Sequence, residues 1–334
     1  MVAEAEIALV SRDLGWPVKA LAAARQTLAS HGDHTNGGHA GNIEARRLLL
    51  IGDLDGAEAV LAAFDPSPLP PASRAAYHLV TAGIAIRRLR TVQARAALAS
   101  AEIAAAEAGI PGLAAEVTAA GRSLTEPAAR LVRRGESRSV RLDEVEALFA
   151  SGALVVDATR GAVRSGPSTI LLGSRPVLLA LARTLAEAWP GDVSRATLIA
   201  QAFGGKEADE SHRARLRVEI GRLRAELTSL AQITATRSGF ALAPRAGEVA
   251  VLVPPVDDEH GPLLALLADG EAWASSALAI ALGTSPRTVQ RALETLGCEG
   301  RVQSFGRSRA QRWIAATAPG FPTTLLLPGP LPGD

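Results

Sequence analysis

The sequence predicts a mainly α protein with small β-hairpins (α+β), in which an N-terminal helical-hairpin domain precedes two smaller modules that each end in a helix and a hairpin. Three observations predict it. Residues 1–150 are rich in alanine and leucine, with apolar positions three and four apart. From 153 the period changes to short β-branched runs broken by Arg160-Gly161 and Ser165-Gly166-Pro167. Two later stretches, 211–242 and 286–315, set an amphipathic helix before alternating apolar and polar residues around a glycine turn.

With 334 residues, the chain has room for two or three domains with real cores. Aromatic residues make up only 3%, which argues against a base-stacking platform for single-stranded nucleic acid. The net charge is +1, so any surface for a polyanion must come from local clustering. Such clusters exist: residues 211–224 hold five arginines against Glu219, and 301–312 hold four with no acid. The single cysteine, Cys298, excludes an internal disulfide and a cysteine-based zinc finger. It reads first as inert, with a redox role as the alternative. No apolar run reaches the roughly 18 residues of a membrane span, and the start has no signal-peptide pattern. A cytoplasmic, nucleoid-associated protein is expected.

In chain order, residues 1–150 predict helices over 3–12, 18–30, 42–51, 55–64, 72–89, 92–108, 113–123, 127–134 and 142–150. Gly52-Asp53, the proline-rich 65–71 and Gly109-Ile110-Pro111 separate some of them. Hairpins such as 44–64, with alanines where helices would touch, loosely resemble tetratricopeptide-type repeats, without a clean repeat period. The resemblance implies a sensor or oligomerisation domain presenting a groove to an effector or protein that the sequence does not identify. His31, Asp33, His34 and His39 are metal-ligand types, yet their Gly- and Asn-rich setting reads as a polar loop, and no metal site is expected.

After the meander at 153–172 come helices opened by Ser174-Arg175-Pro176 and capped by Ser194, a loop at 204–210, and then residues 211–242. Leu216, Ile220, Leu223 and Leu227 form one apolar stripe. Ser211, Ala214, Arg215, Val218, Gly221, Arg222 and Ala225 fall opposite, with Arg213, Arg217 and Arg224 on the flanks. This slim, basic face suits a DNA major groove about 12 Å wide. The ordinary alternative is a solvated helix face.

Residues 153–245 are similar to the OmpR/PhoB-type winged-helix domain. The similarity is carried by Arg222-Leu223-Arg224 late in the helix and by residues 233–240 as the wing, where Phe240 stands for the family's tyrosine. The resemblance implies major-groove contact from Arg215, Val218 and Arg222 and minor-groove or phosphate contact from Arg237. It also makes the 204–210 loop a candidate contact for RNA polymerase. Ser211 and Arg224 complete this module's predicted DNA-binding set.

Residues 246–260 read as a linker with one strand, 249–253. Residues 261–317 form a second module, and 318–334 a Pro/Gly-rich tail. In 277–293, Gly283 supplies a turn, Ser285 a cap and Pro286 a helix start. Val289, Leu293 and Leu296 point inward. Arg287, Thr288, Gln290 and Arg291 point outward, where helix-turn-helix proteins read bases, and Arg307 and Arg309 lie on the hairpin. This half resembles the winged helix-turn-helix of bacterial transcriptional regulators.

No phosphate loop, nucleophile elbow or zinc-protease motif is present, so no enzymatic activity and no cofactor are expected. The expectation is a sequence-specific transcriptional regulator whose two unlike winged helices read a composite double-stranded DNA site under control of the helical domain. Other candidate partners are RNA polymerase and a second copy; a membrane is not expected. The alternative is an adaptor in which one winged helix binds a protein.

Overall fold

A computed structural model describes residues 1–10, 18–173, 175–203, 210–254, 260–267, 272–282, 284–306 and 311–315. The protein is mainly helical with small sheets, and no described helix is long and apolar enough to cross a membrane. The described residues divide into two compact units, one running to 126 and resuming at 260, the other running from 127 to 254.

Among the described residues, the first unit opens with seven helices: α1 (Val2–Val10), α2 (Val18–Ser30), α3 (His34–Ile51), α4 (Leu54–Ala62), α5 (Pro71–Arg87), α6 (Thr91–Ala108) and α7 (Pro111–Arg122). α3 packs on α4, α5 on α6, and α6 on α7. The helix predicted at 42–51 starts eight residues earlier. Asp33 caps it, its Oδ1 accepting from the Asn36 amide at 3.0 Å. The glycine-rich stretch, expected as a loop, is therefore helical from His34 onward, and Gly38 and Gly41 are packing positions. A Cβ on Gly41 would stand 2.6 Å from the Phe64 ring, and one on Gly38 2.7 Å from Leu69. Alanine plays the same part deeper in: Ala40, Ala45, Ala57, Ala75, Ala82, Ala94 and Ala101 are all fully buried. Small side chains on touching faces let helix backbones approach closely.

The same unit resumes with α12 (Gly261–Leu267), α13 (Ser275–Ala281), α14 (Pro286–Cys298) and the hairpin β10 (Val302–Phe305) and β11 (Arg312–Ala315). Trp273, between α12 and α13, exchanges both backbone hydrogen bonds with Trp313 of β11 at 2.8 Å, adding a third strand position to the hairpin. Trp273 and Trp313 join Leu264, Leu267, Leu278, Val289, Leu293 and Leu296 in one core. Leu50 and Ile51 of α3 pack against that core.

The second unit begins with a hairpin where a helix was predicted. β1 (Ala129–Arg133) and β2 (Glu136–Val140) turn at Arg134-Gly135, both with positive φ (51° and 83°), the backbone of a tight hairpin turn. α8 (Leu142–Ala150) follows, then β3 (Leu154–Asp157), β4 (Ala162–Ser165) and β5 (Ser168–Leu171) as the predicted meander. The buried Asp157 holds the first turn, its Oδ1 accepting from the Thr159 amide at 3.0 Å and the Arg160 amide at 3.2 Å.

Next come α9 (Pro176–Glu187), β6 (Asp192–Ser194), α10 (Arg195–Phe203), α11 (Glu210–Leu227), β7 (Ala231–Ala235), β8 (Gly239–Pro244) and β9 (Val249–Val253). β9 is buried at all five positions and pairs antiparallel with β1 and parallel with β3, giving a sheet of order β2-β1-β9-β3-β4-β5. Residues 249–253 are thus a central strand and not part of a linker. The hairpin 129–140 and α8, predicted in the N-terminal domain, belong to this unit. α9, α10 and α11 bury Leu181, Leu185, Leu198, Ile199, Leu216, Ile220, Leu223 and Leu227 in one core with Val193, Ile233, Phe240 and Leu242.

Candidate nucleic-acid interface

Both units contain a similar connectivity: helix, a short strand or a single bridge, helix, helix, hairpin. In the second unit it runs α9, β6, α10, α11, β7, β8, with a sheet of order β6-β8-β7. In the first it runs α12, the Trp273 bridge, α13, α14, β10, β11, the Trp273 position lying beside the last strand as β6 lies beside β8. The short third strand had no sequence signal: three residues, or one bridge, are too few to show alternation.

α11 is anchored by the predicted stripe, with Leu216, Ile220, Leu223 and Leu227 each 2% exposed or less. The opposite face is open: Ser211, Ala214, Arg215, Val218, Gly221, Arg222 and Ala225 are all exposed. Val218 keeps 53% of its surface in solvent, an apolar contact point between two guanidinium groups. Arg215 lies over the Phe203 ring, 4.5 Å from its centroid, and is thereby oriented by α10. Arg222 pairs with Glu219 at 3.0 Å, while Arg213 and Arg217 share Glu210 at 3.5 and 3.6 Å. Arg215 and Arg222 stand seven residues apart, about 10 Å along the helix axis.

Arg224 is differently employed. Its Nε donates to the Ile233 carbonyl at 2.7 Å and its guanidinium lies 5.6 Å from the Phe240 ring, tying α11 to the hairpin. Arg195 donates to the carbonyls of Thr236 and Arg237, both at 3.3 Å, and lies 5.4 Å from the same ring.

The hairpin tip is held from β6. Asp192 accepts hydrogen bonds from the Thr236 hydroxyl at 2.5 Å and from the Ser238 hydroxyl. These bonds, Ser238 first, hold its carboxyl below the usual carboxylate range. The Thr236 hydroxyl in turn accepts from the Gly239 amide at 2.9 Å. Gly239 is required by proximity, since a Cβ there would stand 1.8 Å from the Val193 carbonyl oxygen. The result is a fixed tip from which the exposed Arg237 projects, with no side-chain partner found among the described residues.

In the other module, Ser285 caps α14 by accepting from the Thr288 amide at 3.1 Å, as its sequence position predicts. The exposed Thr288 hydroxyl lies 2.8 Å from that of Ser285, and the half-buried Gln290 donates to Glu294 at 3.1 Å. Arg287 and Arg291, one turn apart, are exposed, and no side-chain partner is found for them among the described residues. Phe305 on β10 is 51% exposed. Arg307, Arg309, Gly283 and most of the 204–210 loop lie outside the described residues, as does the tail from 318.

The histidines of the glycine-rich stretch are engaged separately. Nδ1 of His31 lies 2.8 Å from the Thr27 carbonyl and Nε2 of His39 lies 3.4 Å from Glu6. Among the described residues, no group of three or more His, Cys, Asp or Glu side chains is placed to hold a metal. Cys298 is exposed at the end of α14. Comparison of the chain with protein-family models, with curated proteins and with solved structures finds no match.

Proposed function

We propose that the protein is a sequence-specific regulator of transcription that reads double-stranded DNA with two unlike winged helices. The observation that carries this reading is the repeated order of helix, short strand or single bridge, two helices and hairpin, each copy with an exposed, arginine-bearing third helix. In that arrangement the third helix enters the major groove and the hairpin flanks it. Arg215, Val218 and Arg222 are the base-reading candidates of one module, with Arg237 for phosphate or minor groove; Ser211, at the start of the same helix, suits a phosphate. Arg287, Thr288, Gln290 and Arg291 serve the other module. Arginine pairs with guanine edges and glutamine with adenine, and the exposed Val218 suits a thymine methyl. Two different readers imply a composite site of two unlike half-sequences.

The helical domain is the natural place for control by an effector or protein, and RNA polymerase is a candidate partner at the 204–210 loop. A cytoplasmic, nucleoid-associated location follows from this role.

The test is genome-wide mapping of bound DNA, followed by salt-dependent affinity on the best site. A sharp motif bound about 10³-fold or more over random DNA supports the reading. Binding without a motif would overturn it.

A second reading, in which the C-terminal winged helix docks a protein, is favoured by the exposed Phe305 and Ile280 of that module. Replacing Arg287 and Arg291 by alanine separates the two: DNA affinity falls under the first reading and is unchanged under the second.

A further inference from the structure

Helix α6 is apolar on two opposite faces. Ala94, Ala97, Leu98, Ala101, Ala104 and Ala105 are buried, the last three in a cluster with Ala75 of α5 and Val117 of α7. The other face carries Val92, Ala96, Ala99, Ile103 and Ala106, all exposed, Val92 at 74% and Ile103 at 65%. Single exposed apolar residues are ordinary. These five recur at intervals of four, three, four and three, so they fall within about 40° of one line along the helix. That spacing is the seam of a two-helix coiled coil. A helix apolar on both sides is one whose second side meets another surface.

We propose that this face pairs, antiparallel, with the same face of a second copy of the chain. The occupant is argued from the seam's complementarity to itself. When Val92 is set against Ile103 of the partner subunit, Ala96 falls against Ala99 of the partner subunit, and the two-fold axis repeats both contacts. Large residues then meet at the two ends of the seam and alanines in the middle, where the backbones approach at the short end of the usual 8–10 Å range.

The flanks agree with this register. Arg95 and Glu102 lie on the same side of the seam, seven residues apart, and both are exposed. The register brings Arg95 beside Glu102 of the partner subunit, twice by symmetry, and Gln93 beside the partner's Ser100. A parallel pairing would instead set Glu102 beside the partner's Glu107, like charge against like. Such an isologous contact closes as a dimer. The proposal is independent of the nucleic-acid reading.

Sedimentation of the full chain up to on the order of 100 μM should reveal a species of twice the 34.5 kDa chain mass. Val92→Glu with Ile103→Glu should yield a monomer with unchanged circular dichroism, because both side chains are exposed. Arg95→Glu alone should weaken the dimer at least about tenfold, and adding Glu102→Arg should restore it, because the pair is exchanged and not lost. With the sole cysteine replaced, Cys298→Ser, a mixture of Ala96→Cys and Ala99→Cys chains should cross-link, and neither chain alone. A wild-type monomer throughout the range would overturn the proposal, as would a dimer that survives Val92→Glu with Ile103→Glu. A dimer lost in those variants but not restored by the charge exchange would overturn the antiparallel register.

Discussion

The Nε–H of Arg224 donates to the carbonyl oxygen of Ile233 at 2.7 Å, joining the third helix of one module to the first strand of its hairpin. An arginine whose sequence position suggests a DNA contact is thereby placed where it fixes the angle between α11 and the β7–β8 hairpin.

Arg224→Ala should lower stability by about 1.5–3 kcal/mol, the scale of one charge-assisted hydrogen bond. It should also loosen the hairpin without changing the number of phosphates contacted. The measurement is affinity against salt concentration for the best-bound DNA. A slope unchanged from wild type is the expected result, and a slope shallower by about one would mean that Arg224 itself neutralises a phosphate.

Asp192 and Ser238 form a second clasp on the β7–β8 hairpin. Because the folded protein holds the Asp192 carboxyl below its ordinary value, the contribution of the clasp is full above the unfolded-state value of about 3.9. It is lost as pH falls through the lower folded value. Amide exchange at Gly239 should therefore stay protected at neutral and mildly acidic pH and lose protection only in strong acid. In Asp192→Asn the same amide should show no such acid transition.

Gly239→Ala should disrupt the pairing of β6 with β8, since the added methyl would stand 1.8 Å from a backbone oxygen. A destabilisation of about 1–3 kcal/mol, as for other overpacked sites, is expected in thermal unfolding. Gly221→Ala is the control, because a Cβ there meets nothing within 4 Å. It should be neutral or slightly stabilising, as alanine is the better helix former.

Leu223, fully buried on the inner face of α11, should cost about 2–5 kcal/mol when cut to alanine. Denaturant unfolding checks this. Val218→Ala, on the open face, should leave stability within about 0.5 kcal/mol of wild type, and any loss of affinity it causes is then a loss of contact.

Much of this fold is legible in the chain. Residues 18–30 and 142–150 are helices with the bounds their periodicity predicts, and the stripe Leu216–Ile220–Leu223–Leu227 is the buried face of α11. Patterns of this kind are local, because a 3.6-residue period is written in neighbouring side chains. The glycine-rich 34–41 segment does not read as helix in the chain, because glycine and asparagine disfavour helices by intrinsic propensity. Close packing on Phe64 and Leu69, residues distant in sequence, overrides that preference.

The sequence by itself determined most of the helices, the buried and open faces of α11 and α14, and the basic side chains on them, since each depends on residues within a turn or two of one another. Tertiary structure alone decided three things. Residues 129–133, made of good helix formers, became a strand because β2 and β9 flank them. Residues 192–194 became a strand because the glycine at 239 lets β8 come within reach. Asp192, Arg195 and Arg224 converged on one hairpin from three separate elements. Partners in a sheet and donors across a turn are chosen by distance in space, which no local pattern records.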